Sequence, residues 1–126
     1  MIHLDTSFLI HALVSGAPAG NQLEQWLLSG EELNISTIAL SELLCGPIAP
    51  YDRTLIDGLF PLPEPFLSPD ASKAAELFNI TGRRSRSLAD CQIAAVALRC
   101  NARLATTNLS DFAPFRTYGL SLAGSN

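Results

Sequence analysis

Lysine is almost missing from this chain. Of its eight basic residues only Lys73 is a lysine, and the rest are arginine. Cysteine is sparse and odd in number: Cys45, Cys91 and Cys100. An odd count with no metal-knuckle spacing excludes a disulfide framework and a zinc ribbon. Each cysteine sits in an apolar helical pattern, which predicts a small buried thiol. The two histidines, His3 and His11, have no partner at ligand spacing, so zinc chemistry has no donor set. Long hydrophobic runs are also absent. The most aliphatic stretch, Ile35 to Cys45, is too short to cross a bilayer. No basic leader precedes an apolar run at Met1-Ile2-His3-Leu4-Asp5, so no membrane association and a cytoplasmic location are expected.

What remains is enough for one domain, taken as residues 1–126. The chain is 48% hydrophobic and 16% charged, which supplies a core and argues against disorder. Short apolar strands alternate with helical patterns. Strands are predicted at Ile2–Leu4, Leu33–Ile35, Arg103–Thr106 and Tyr118–Leu120, with a poor, proline-flanked one at Pro65–Leu67. Helices are predicted from a Thr6 or Ser7 cap to Val14, over Gln22–Ser29 after an Asn21 cap, and over Thr37–Cys45. Further helices are expected over Asp52–Leu59, Ser68–Ile80 with Ser68 as cap, and Ala89–Cys100. This alternation implies an α/β fold with a parallel sheet and helices on both faces. In such folds ligands bind beyond the carboxyl ends of strands, where strand order reverses.

Charge is unevenly distributed. Residues 1–82 hold ten acids and two bases, whereas residues 83–116 hold six arginines and two acids. Arginine's planar fork of donors suits phosphate. The basic loop Arg83, Arg84, Arg86 is therefore a candidate phosphate contact, with a solvated surface face as the alternative.

Four acids occupy suggestive places. Asp5 ends the first strand, where it can also cap a helix. Glu42 lies in Ile38-Ala39-Leu40-Ser41-Glu42-Leu43-Leu44-Cys45, with small or apolar neighbours one turn away and no base at helical pairing distance. Asp90 falls in the first turn of a helix, where the dipole also favours an acid. Asp111 follows the strand at 103–106, where a turn or cap role is open to it. The strand-end acids share one sheet edge, and the helical ones can pack beside it. Two carboxylates ~5 Å apart repel by roughly 3 kcal/mol at an effective dielectric of ~20. Several together take up protons or bind cations. An all-oxygen set without Cys or His favours Mg2+ or Mn2+, and such a cluster suits phosphodiester hydrolysis.

The ordered motifs Leu4-Asp5-Thr6-Ser7-Phe8-Leu9-Ile10, Ser41-Glu42-Leu43-Leu44-Cys45-Gly46, Asp90-Cys91-Gln92-Ile93-Ala94-Ala95-Val96-Ala97 and Leu104-Ala105-Thr106-Thr107-Asn108-Leu109-Ser110-Asp111-Phe112 resemble the PIN domain family. Within it they resemble the VapC-type ribonuclease toxins of type II toxin–antitoxin pairs. The resemblance implies a PIN-like fold and a Mg2+- or Mn2+-dependent endoribonuclease in which a metal-activated water attacks the RNA phosphodiester. It carries Asp5, Glu42 and Asp90 onto the three core acids and Asp111 onto the fourth. Ser7 and Thr106 match hydroxyl positions beside the metal or its water. Asn108 stands where relatives often carry an acid, which leaves its role and that of Asp111 at a second metal open. A cognate VapB-type antitoxin, an RNA substrate and a homodimer are further implications. Leu13, Leu23, Trp26 and Leu27 are candidates for the antitoxin groove or for the core. A catalytically weak PIN domain that binds RNA or protein is the alternative, and the four filled acid positions argue against it. A phospho-acceptor receiver domain would need paired acids after the first strand and a late lysine, and this chain has neither.

Overall fold

The computed structural model describes residues 1–82 and 88–124. In chain order the elements are β1 (Ile2–Leu4), α1 (Thr6–Ala12), α2 (Pro18–Leu28), β2 (Leu33–Asn34), α3 (Thr37–Cys45), α4 (Pro50–Leu59), α5 (Ser68–Ile80), α6 (Leu88–Arg99), β3 (Arg103–Ala105) and α7 (Leu109–Phe112). A 3-10 helix over Ala113–Tyr118 follows. The strands form one parallel sheet in the order β2-β1-β3. All three residues of β1 are buried. Successive strand residues face opposite sides, so both faces of the central strand are covered, as the α/β reading expected.

The core joins Ile2, Leu4, Ile35 and Leu104 of the sheet region to Leu43, Leu77, Ile93 and Val96 of the helices. Small residues bring α6 close: Ala94, Ala95 and Ala97 are buried, and α6 packs chiefly on α5. Phe8 and Trp26 stack with ring centroids 5.5 Å apart, fastening α1 to α2. Trp26 is thus core, Leu13 and Leu23 pack partly against it, and Leu27 is exposed.

Several boundaries differ from the expected ones for identifiable reasons. Helix α2 begins at Pro18, a preferred first-turn residue, so Asn21 lies inside it. Ser36 caps α3 by accepting the Ala39 amide at 3.1 Å. Leu67, not Ser68, holds the cap position of α5, and the Asp70 carboxylate accepts the Leu67 amide at 2.9 Å. The strand expected at Pro65–Leu67 is a single bridge between Ser36 and Glu64. Pro63 and Pro65 flank Glu64 and have no amide hydrogen to extend the ladder. The strand expected at Tyr118–Leu120 is replaced by the 3-10 helix, which ends at Gly119 with φ +105°. The chain then reaches β3 through one bridge between Leu104 and Leu122.

Among the described residues, two arginines of the basic stretch are held in ion pairs. Arg99 donates to Asp70 at 2.8 Å, to Glu64 at 2.9 Å and to the Pro65 carbonyl at 2.9 Å, pinning α6 to α5 and to the segment before it. Arg103 pairs with Glu31. Arg83, Arg84 and Arg86 lie outside the described residues. The cysteines divide as well. Cys91 is buried, but Cys45 is exposed because it closes the last turn of α3 on its outer side. Cys100 is half-buried and donates to Glu64 at 3.3 Å, and burial followed by that bond pushes its thiol up to about 11. Among the described residues no helix is long and apolar enough to cross a membrane.

Candidate functional site

The chain enters at the central strand, places β2 on one side and returns to place β3 on the other. Strand order therefore reverses between β1 and β3. The crevice beyond their carboxyl ends is the expected ligand position in an open parallel sheet, and Asp5 and Thr106 stand there. The two strand ends are tied by the Asp5 amide, which donates to the Ala105 carbonyl at 2.9 Å.

Asp5 occupies the cap position of α1, yet its side chain makes no capping bond. Neither Thr6 nor Ser7 caps the helix as expected, because both hydroxyls are used elsewhere. Ser7 Oγ and Thr106 Oγ1 each donate to Asp5 Oδ2 at 2.8 Å and lie 3.2 Å from each other. Backbone amides fix the two hydroxyls in turn: Thr107 donates to Ser7 Oγ at 3.3 Å and Asn108 to Thr106 Oγ1 at 3.0 Å. Asp5 is 3% exposed, and its other oxygen, Oδ1, accepts no hydrogen bond from the described residues. Buried side-chain polar atoms lacking a partner, among those residues, are only the two His3 ring nitrogens. Among the described residues, then, no donor covers Oδ1.

Glu42 projects from α3 beside its buried face of Ala39 and Leu43 and is exposed, so the apolar surroundings expected for it are partial. Thr6 Oγ1 donates to the Ala39 carbonyl at 2.9 Å and reaches Glu42 Oε1 at 3.3 Å, linking α1 to α3. The Glu42 carboxyl is raised by desolvation and by the charge of Asp5, against the lowering effect of Thr6. Asp90, half-buried in the first turn of α6, is pushed up to about 7. Burial is the largest cause, followed by the charges of Asp5, Asp111 and Glu42. Asp111 is exposed in the first turn of α7, and Asn108 stands at that helix's cap position without a side-chain capping bond.

The four acids thus share one electrostatic neighbourhood, and among the described residues none of them is ion-paired. They do not form a closed ligand set. Among the described residues no three Asp, Glu, His or Cys side chains already surround a single point. The arrangement is an open acidic crevice with one well-ordered carboxylate at its base. Mg2+ is compatible with such a site because it keeps several waters and takes only one or two protein carboxylates.

A family model for the PIN domain matches residues 2–115. The chain belongs to the PIN domain family. Solved structures with the same fold include FitAcB from Neisseria gonorrhoeae, at 22% identity and TM-score 0.73, covering 97% of this chain and 96% of that one. Another is VapBC2 from Rickettsia felis bound to a DNA fragment from their promoter, at 22% identity, TM-score 0.74 and 100% coverage of both chains. A toxin–antitoxin complex from Klebsiella pneumoniae is 26% identical with TM-score 0.71, covering 90% of this chain and 91% of that one. No curated protein sequence matches this PIN domain.

Three residues at the site were missed from sequence. Thr6 ties Glu42 to α1, Thr107 supplies an amide to Ser7, and His11 approaches both the Ser7 carbonyl and Thr107. Thr6 and Thr107 adjoin motif residues and could have been suspected. For His11 the one available signal was its helical spacing of four from Ser7.

Proposed function

We propose that this PIN domain is a Mg2+- or Mn2+-dependent endoribonuclease and the toxin of a toxin–antitoxin pair. The observation that carries the reading is the state of Asp90. Its carboxyl lies near 7 because burial and three neighbouring acids oppose its ionisation, and among the described residues no basic group relieves them. A divalent cation beside Asp5, Glu42, Asp90 and Asp111 would relieve that repulsion, and the all-oxygen donors suit a hard ion. Bound there, the ion supplies acidity for an attacking water and positive charge for the phosphate.

The chain's own part is to orient and to hold protons. Ser7 and Thr106 spend their hydrogens on Asp5 Oδ2, which orients the carboxylate and engages neither of them with Oδ1. Thr6 steadies Glu42. Asp90 gives up its proton as a cation arrives, coupling metal uptake to pH. Arg83, Arg84 and Arg86, four to seven residues before Asp90, are proposed phosphate contacts. The likeness to FitAcB, VapBC2 and the Klebsiella complex supports an antitoxin as partner. A homodimer and a cytoplasmic location belong to the same reading.

The test is cleavage of single-stranded RNA with Mg2+ or Mn2+ by the wild type and by Asp5→Asn. Loss of cleavage in a folded Asp5→Asn protein is expected, and a clean preparation that still cuts overturns the site. The competing reading, a PIN domain that binds without cutting, draws on the open, ungathered acids. Calorimetry showing no divalent binding would favour it.

A further inference from the structure

His11 lies one helical turn beyond Ser7 on α1, at the edge of the crevice, and is exposed. Its Nδ1 is 2.7 Å from the Ser7 carbonyl oxygen and 3.4 Å from Thr107 Oγ1. A carbonyl only accepts, so Nδ1 carries a hydrogen whether the ring is neutral or charged. The imidazole is thereby held from two sides, by α1 and by the loop after β3. The residue is exposed, and among the described residues only Nδ1 has hydrogen-bond partners, so Nε2 is not engaged by them. Ser7 donates to Asp5 and Thr107 donates to Ser7, so the imidazole shares its two anchors with the network that orients that carboxylate.

Given the reading of the crevice as an RNA-cleaving site, we propose that His11 Nε2 contacts a ribose 2′-hydroxyl beside the scissile bond and selects RNA over DNA. A phosphate oxygen suits Nε2 only when the ring is charged, because a neutral Nε2 and a phosphate are both acceptors. A 2′-hydroxyl donates and accepts, so it pairs with Nε2 in either state, and it is the group that separates RNA from DNA. Once ionised, the acids around the crevice offer acceptors alone, and the Ser7 and Thr106 hydroxyls are already engaged with Asp5. His11 is a binding group and takes no part in moving protons at phosphorus.

The experiment measures fluorescence anisotropy of one short single-stranded RNA and the DNA of the same sequence, using the Asp5→Asn protein, which is expected not to cut. Adding His11→Ala is expected to weaken RNA binding about fivefold, the size of one neutral hydrogen bond, and to change DNA binding less than twofold. His11→Gln, whose amide both donates and accepts, is expected to restore most of the preference. Equal weakening for RNA and DNA, or none for either, overturns the proposal while leaving the nuclease reading standing. Failure of the Asp5→Asn protein to bind RNA, together with no cleavage by the wild type, brings down both.

Discussion

Two buried titratable groups pull stability in opposite directions with pH. Asp90 has a folded pKa of about 7, above its value of 3.8 when free. The folded state therefore binds the extra proton between those values, and the metal-free protein loses stability as pH rises through that window. After discounting for solvent screening, the effect is about 2 kcal/mol. Thermal melts of the metal-free protein should show it, and Asp90→Asn should flatten it. His3 acts in the other sense. It is 2% exposed, neither ring nitrogen has a partner among the described residues, and burial lowers its pKa below 6.5. Glu64 opposes that lowering, and Arg99 and the N-terminus add to it. Its contribution is full above pH 6.5 and is lost as pH falls through the folded value. His3→Phe, similar in size and without a charge to bury, is expected to remove that acid sensitivity. That Asp5 and Asp90 lie in one neighbourhood was legible from the ordered motifs and the sheet edge, although each acid alone also suited a cap or a first turn. His3 could not be read so. A lone histidine in a strand signals nothing until its neighbours across the fold are known.

Among the elements, the join between α5 and α6 depends on one arginine. Asp70, almost fully buried, meets Arg99, whose outer nitrogens also bind Glu64 and Pro65. Removing one partner of such a pair costs about 3 kcal/mol. Arg99→Ala should lower the melting temperature by on the order of 10 °C. Asp70→Asn, which keeps one acceptor oxygen for the Leu67 amide but turns an NH2 group toward Arg99, should lower it as well. From sequence Arg99 counted toward a basic stretch, because charge runs are visible in one dimension and a partner twenty-nine residues away is not. The helices of the middle of the chain were legible through periodicity and prolines. The segments at Pro65–Leu67 and Tyr118–Leu120 were not, since short apolar triplets read as strands whether or not a neighbouring strand has room to pair with them.

At the level of the whole molecule, ion uptake should stabilise the folded state. Mn2+ at pH 7.5 is expected to raise the melting temperature in proportion to the logarithm of its concentration, and the gain should shrink in Asp90→Asn and below about pH 6. The sheet order adds a consequence for the living cell. Asp5, just after β1, is made before β3, and the hydroxyl of Thr106 that orients it lies 101 residues later. A nascent chain extended only through α6 lacks β3 and the loop that buttresses Ser7. During synthesis, then, the hydrogen bond that orients Asp5 can form only once β3 and the loop after it have left the ribosome.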